Sequence, residues 1–273
     1  LESDSIGVNR YLAARGIEYS NLKSLVISLS EIVIYSGINR PADLTYLNPI
    51  SSHLEIELND RQNVVGTDNA NAVWQASLDW FLLDRFRISC NLLFDEIVFD
   101  KSQRKLGQRH RTGFSSKISY HYRSTSEIIR NIYLSIVSVG PLTFRHGNGY
   151  NNFVIRGRPL GWKYGSDGYE YKIGLNQIYD SKIISKFEMG YMSVGGKSII
   201  NNSYLNHFSF SRDSNSNNIP NIKSFFIKGN LEWWLKPEIS ILTSIEWVNY
   251  YTSSNELNFN LGANIFLPKN FIF

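Results

Sequence analysis

The side chains best placed to do chemistry in this 273-residue sequence are two clusters of cations. Lys101, Arg104, Lys105, Arg109 and Arg111 put five positive charges within eleven residues, with Asp100 just before them. Arg145, Arg156, Arg158 and Lys163 form a second cluster around Tyr150, Trp162 and Tyr164. Guanidinium forks match carboxylates and phosphates in two-pronged geometry, and aromatic faces can stack on sugar rings. The chemistry this suggests is recognition of an acidic polysaccharide by Arg104, Lys105, Arg109, Arg111, Arg156, Arg158, Trp162 and Lys163. The same cations would also suit the phosphates of lipopolysaccharide, or serve only to keep loops solvated.

Covalent chemistry has less to stand on. The five histidines (His53, His110, His121, His146, His207) are scattered, without the i, i+4 or paired-cysteine spacing of a zinc site. Asp95-Glu96 is the best carboxylate pair, but neighbours on a strand point to opposite faces and cannot both address one substrate. The position near a strand end makes the pair structural. Ser119 and His121 share a parity and could form a nucleophile and base on a barrel wall, although i, i+2 pairs of this kind arise readily by chance. Gly147-Asn148-Gly149 lacks the strand-to-helix setting of a phosphate loop and reads as a turn. No catalytic residue, metal or cofactor is expected.

The elements that must position these residues are strands. In residues 86–95, Phe86, Ile88, Cys90, Leu92 and Phe94 occupy one parity, against Arg87, Ser89, Asn91, Leu93 and Asp95 on the other. Residues 257–265 repeat the pattern with Leu257, Phe259, Leu261, Ala263 and Ile265. A period of two puts all the apolar side chains on one face of a sheet. About eleven such stretches are predicted, at 8–19, 23–35, 71–82, 86–99, 110–123, 127–141, 168–178, 182–194, 222–235, 238–251 and 257–268.

The connections sort by length. Ser20-Asn21-Leu22, Leu83-Asp84-Arg85, Ser124-Thr125-Ser126, Asp180-Ser181-Lys182 and Lys236-Pro237-Glu238 are short. Segments 36–70, 100–110, 142–167 and 195–220 are long, and 252–256 closes the series on their side. Short turns at one end and long loops at the other are the signature of an outer-membrane barrel. Trp80, Phe81, Phe86, Trp233 and Trp234 fall at the short-turn ends, and Tyr35, Phe99, Tyr191, Trp247, Tyr250 and Tyr251 toward the long-loop ends, as two interfacial belts require. Mid-strand Asp79, Lys117, Glu170, Lys172, Lys186, Glu188, Lys228 and Glu232 suit a wet or salt-bridged lumen. A soluble sandwich with an aromatic core is the alternative.

The fold class expected is therefore all-β: an antiparallel up-and-down transmembrane β-barrel in one domain spanning residues 1–273. Sixteen Tyr, sixteen Phe and six Trp agree with aromatic girdles. No run of about twenty apolar residues offers a helical span. The net charge of +4 comes with no basic helix or aromatic RNA-binding motif, so no nucleic-acid partner is expected. The single cysteine, Cys90, lies on the apolar parity as a small hydrophobe. The sequence starts at Leu1 without a signal peptide, and an odd strand count entering from the outer side suggests a barrel lacking its opening strands.

Glu31-Ile32-Val33-Ile34-Tyr35, Tyr46-Leu47-Asn48-Pro49, Val65-Gly66-Thr67-Asp68-Asn69-Ala70 and Leu93-Phe94-Asp95-Glu96 follow one another in order. Gly157-Arg158-Pro159-Leu160-Gly161 and Gly165-Ser166-Asp167 come later. This succession, covering roughly residues 8–195, resembles the Wzi-type capsule assembly family in the version common in Bacteroidota. The sequence departs from the pattern at Ser51-Ser52-His53 and lacks the family's N-terminal part. The resemblance implies a barrel of about eighteen strands with a helical periplasmic plug. Its role would be that of a non-enzymatic surface lectin that holds capsular or exopolysaccharide on the bacterial outer membrane. Outer-membrane lipid, and other outer-membrane or capsule-export proteins, are the further partners it implies. A diffusion pore and a barrel hydrolase remain the alternatives.

Overall fold

A computed structural model describes residues 7–52, 70–96, 110–123, 128–147, 149–201, 203–204, 221–251 and 253–266. Eleven strands pair with their neighbours in one antiparallel sheet. They are β1 (Val8–Ser20), β2 (Leu25–Ile38), β3 (Ala70–Leu82), β4 (Phe86–Glu96), β5 (Arg111–Arg123), β6 (Ile128–Val139), β9 (Gly168–Tyr179), β10 (Ile183–Val194), β11 (Ile222–Lys236), β12 (Ile239–Tyr250) and β13 (Glu256–Ile265). The order follows the chain throughout, the up-and-down arrangement expected. A two-residue hairpin, β7 (Val154–Ile155) with β8 (Arg158–Pro159), stands apart inside the predicted loop 142–167.

The alternation survives pairing because every strand is in register with the parity of its neighbour. Ser89 opposes Asp79 and Lys117, while Lys172 opposes Ser135 and Gly190. We term the face bearing these polar residues inward. On the outward face Ile27, Leu29, Leu92, Ile118, Leu134 and Ile173 are between 44% and 58% exposed. So wide an apolar surface would be costly in water and is at home in hydrocarbon.

The tight ends are built where the turn residues demand them. Leu83-Asp84 and Asp180-Ser181 all have positive φ (53° and 47°, 49° and 52°), the primed turn whose twist matches that of the strands it joins. Asn21 accepts from the amides of Lys23, Ser24 and Leu25 at 3.0, 2.8 and 2.9 Å and fixes the β1–β2 turn. The expected turn at 124–126 lies outside the described residues, as does Phe99.

Two sequence readings change in detail. Trp80, Phe86 and Trp233 face outward, but Phe81, Trp234 and Tyr250 lie on the inward parity because adjacent residues cannot share a face. Trp234 instead stacks on Phe266 at 5.6 Å. The segment after β2 is also not a simple outer loop. It folds back over the outward face, where Tyr46, in a 3-10 turn (Leu44–Leu47), joins Ala13, Val33, Tyr35, Ala70 and Ala72 in a small core.

The outward face should be a hydrocarbon contact. Replacing Leu134 with Arg is expected to cost about 2–4 kcal/mol if it lies near the bilayer midplane. Denaturant unfolding from lipid vesicles measures this, and an unchanged midpoint would place the face in water.

Candidate functional site

At the long-loop end, the described parts of segments 140–167 and 195–204 fold onto the inward face. Phe144, Phe153, Val154 and Ile199 pack there with Ile34, Val73 and Val139. Polar anchors fix the loop to the wall. Asp95, at the register shift between Phe94 and Glu96, accepts from the Phe144 amide at 2.5 Å, which gives this carboxylate a structural role. Asn71 donates to the Asn151 carbonyl at 3.1 Å. Arg10 donates through Nε to the Tyr150 carbonyl at 2.6 Å and through Nη2 to that of Asn152. Asn152 itself accepts from the His146 amide at 2.7 Å and donates to the Ser203 carbonyl at 3.0 Å.

A second set of bonds joins the two loops. Asp167 accepts from the Lys197 amide at 2.9 Å, and Ser198 Oγ donates to the Tyr164 carbonyl at 2.7 Å. Arg145, expected in the cation cluster, is instead fully buried and donates to the Ser198 carbonyl at 3.1 Å. Burial pulls its guanidinium down to about 10, against the opposing pull of Asp167, so it stays charged at neutral pH. Burial also pushes the Tyr164 phenol up, so it remains a neutral donor.

What this scaffold holds outward is a short run of cations. Arg156 and Gly157, with φ of 47° and 74°, make the tip of the β7–β8 hairpin, and Arg156 and Arg158 are exposed on it. Lys163 is also exposed, with its Nζ 4.4 Å from the centre of the Tyr164 ring. Trp162 is half-buried in a T-shaped pair with Tyr164, ring centres 5.3 Å apart, so it braces the site more than it offers a free face. Arg111 is half-buried and donates to the Arg145 carbonyl at 3.0 Å, tying β5 to the same loop. Arg104, Lys105 and Arg109 lie outside the described residues. A cleft of about 350 Å³ beside the hairpin is lined by Tyr11, Leu44, Ile155 and Leu160 together with the charged Arg10 and Asp43, among others.

Deeper on the inward face, charges meet in a network across four strands. Lys172 lies 3.2 Å from both Glu170 and Glu188, and Lys186 is 3.1 Å from Glu188. Tyr133 donates to Glu188, with Lys117 Nζ 4.0 Å above its ring. Lys228 pairs with Glu246 at 3.4 Å, and Arg87 with Asp79. Gly174 makes room for this, since a Cβ there would overlap the Tyr133 ring. Ser119 and His121 do meet, at 3.4 Å between Oγ and Nε2. The Asn131 amide nitrogen, however, sits 2.8 and 3.0 Å from the two ring nitrogens of His121. That group straddles the ring edge, where a relay needs an acceptor on Nδ1 and the nucleophile alone on Nε2.

The anchors Arg10, Asn71 and Asn152 were invisible in the sequence reading because their partners are backbone carbonyls and amides far along the chain.

Two substitutions test this construction. Gly174→Ala should displace Tyr133 from Glu188 and lower stability by about 1–3 kcal/mol in denaturant unfolding. Arg145→Ala removes the charged donor to the Lys197 and Ser198 carbonyls, the latter keeping only the Asn201 amide at 3.2 Å, at about 1–3 kcal/mol, so the amides of residues 140–167 should exchange hydrogen roughly 5- to 150-fold faster. Unchanged exchange would contradict a structural role for Arg145.

No protein-family model matches the sequence, and no curated protein matches it. Among solved structures, Wzi from Escherichia coli is described as an outer-membrane protein involved in group 1 capsule assembly and a carbohydrate-binding β-barrel. It is similar over 91% of this chain and 49% of its own, at 15% identity and a TM-score of 0.61. This chain thus spans about half the length of that structure. The outer membrane channel DcaP of Acinetobacter baumannii is similar over 96% of this chain and 64% of its own, at 11% identity and a TM-score of 0.41. An outer membrane channel from Pseudomonas putida F1 is similar over 95% and 82%, at 8% identity and a TM-score of 0.36. With the sorted faces and turns, the Wzi likeness shows the fold: the chain forms the up-and-down wall of a β-barrel of the bacterial outer membrane.

Proposed function

We propose that this outer-membrane barrel is a non-enzymatic binding protein that holds an acidic capsular or exopolysaccharide at the cell surface through its outer loops. The observation that carries the reading is the exposed Arg156, Arg158 and Lys163 on a loop whose other side is anchored into the wall. A loop fixed before binding loses little entropy when the polymer docks, so modest charge-assisted bonds can count toward affinity. Each contact is weak, and a repeating polymer meets many copies on one cell, which multiplies retention. The succession of motifs that resembles the Wzi-type family supports the same reading, as does the carbohydrate-binding role stated for Escherichia coli Wzi. Arg104, Lys105 and Arg109, which lie outside the described residues, and Arg111 are proposed to bind the same polymer, and Trp162 braces the hairpin side of the site. Lipopolysaccharide and other outer-membrane or capsule-export proteins are further proposed partners.

Changing Arg104, Lys105, Arg109, Arg156 and Arg158 together to Ala should weaken polysaccharide retention by cells, and added salt should narrow the gap between wild type and variant. Equal retention by both at low salt would sink the loop proposal.

A diffusion pore is the second reading, favoured by the charged inward wall around Lys172 and Glu188. Against it stands the packing of Phe144, Phe153 and Ile199 onto Ile34, Val73 and Val139 of the same inward face. Planar-bilayer recordings separate the two: steady channel opening favours the pore, and absence of conductance favours the binding protein.

A further inference from the structure

The segment after β2 lies where an irregular chain is least expected. Tyr46 stacks on Tyr35 at 4.3 Å, and Tyr35 on Tyr11 at 5.2 Å, all on the outward face. The chain then continues down the wall, and the Asn48 carbonyl accepts from Arg15 Nη1 at 2.9 Å. Arg15 is four residues below Tyr11, which is about 13 Å along a strand and about 10 Å along the normal of a barrel tilted near 40°. Arg15 pairs there with Glu31, also outward by register, and Glu31 is almost wholly buried. An ion pair at that depth, facing acyl chains, would be expensive without cover.

Irregular backbone facing hydrocarbon is excluded unless its polar groups find partners. Here they largely do. The Arg40 amide donates to the Gly37 carbonyl at 3.2 Å, and the Arg40 carbonyl accepts from Asn9 and from the Tyr11 hydroxyl, each at 3.0 Å. The Tyr35 hydroxyl serves both the amide and the carbonyl of Asp43, at 3.2 and 3.3 Å. Asp43 Oδ1 accepts from the Thr45 amide at 2.9 Å and hydroxyl at 2.6 Å. The Asn48 amide reaches the Thr45 carbonyl at 3.1 Å, and Asn48 Oδ1 takes the Ile50 amide at 3.1 Å. Pro41 and Pro49 have no amide hydrogen to satisfy. Thr45 and Asn48 are exposed but bonded within the segment, to Asp43 and to Ser51 and Ile50, and beside them the segment exposes apolar side chains: Leu44 at 74%, Leu47 at 61% and Ile50 at 92%.

We propose that residues 39–52 form a lipid-facing flap, in which Leu44, Leu47 and Ile50 contact the acyl chains of the outer leaflet while the flap insulates the Arg15–Glu31 pair from them. The surface is continuous with the outward face of the barrel, so its occupant is the same lipid. This inference rests on the barrel fold and is independent of polysaccharide binding.

The test uses the full-length protein in a Cys90→Ser background, with Leu44→Cys, Leu47→Cys and Ile50→Cys each carrying a bimane label in lipid vesicles. Heat-modifiable gel migration verifies that each variant is folded. Phospholipids brominated on their acyl chains should quench all three at no less than half the level seen for a label at Leu29→Cys. Aqueous iodide should quench them less than half as well as a label at Arg158→Cys. Any folded position that fails either criterion overturns the proposal. Loss of polysaccharide binding, or its retention, has no bearing on the outcome.

Discussion

The constraint on which the structure depends is that a sheet in a membrane must satisfy every backbone amide and carbonyl from within the protein. Eleven strands in unbroken antiparallel order do this from β1 to β13, whose outer edges have no strand partner among the described residues, and the short turns complete it at one end. Pairing in turn fixes parity. A slip of one residue in any strand would send its charges outward and its Leu and Ile inward, so register and face cannot be chosen separately. The Lys172–Glu188–Lys186 network and the apolar outward face are two consequences of one set of pairings.

The same constraint explains how differently the long connections behave on the two faces. On the inward side, loop carbonyls and amides are met by Arg10, Asn71, Asp95 and Arg145, which leaves the hairpin carrying Arg156 and Arg158 rigidly presented. On the outward side, Tyr35, Asp43 and Arg15 perform the corresponding service for the segment after β2. In both places polar or phenolic side chains, some on the strands and some within the loops themselves, act as substitutes for the missing strand partner. What faces the surroundings then differs: cations in one case, aliphatic side chains in the other.

The strands were legible because alternation and turn length are local and redundant. The predicted 71–82 and 168–178 became Ala70–Leu82 and Gly168–Tyr179. β2 runs past its predicted end to Ile38, since pairing with Val8 and Asn9 holds residues that carry no strong pattern of their own. Exposed cations at 156, 158 and 163 could be found by type, but the burial of Arg145 could not. Its partners lie beyond residue 195, and nothing near it in sequence distinguishes an arginine that binds backbone carbonyls from one in solvent. The back-folded segment was hidden for the same reason: Glu31 reads as one charge in an apolar strand until Arg15 and Asn48 are placed around it.

Every other feature depends on which face of the sheet meets lipid, and an accessibility scan along β6 tests this most directly. Nitroxide labels placed singly at residues 130–137 in lipid vesicles report collision with oxygen, which concentrates in hydrocarbon, and with a water-soluble nickel chelate. The prediction is a period of two, with oxygen accessibility peaking at Ile132, Leu134 and Ile136 and falling at Asn131, Tyr133 and Ser135. A flat profile, or oxygen peaks at the odd-numbered positions, would contradict it.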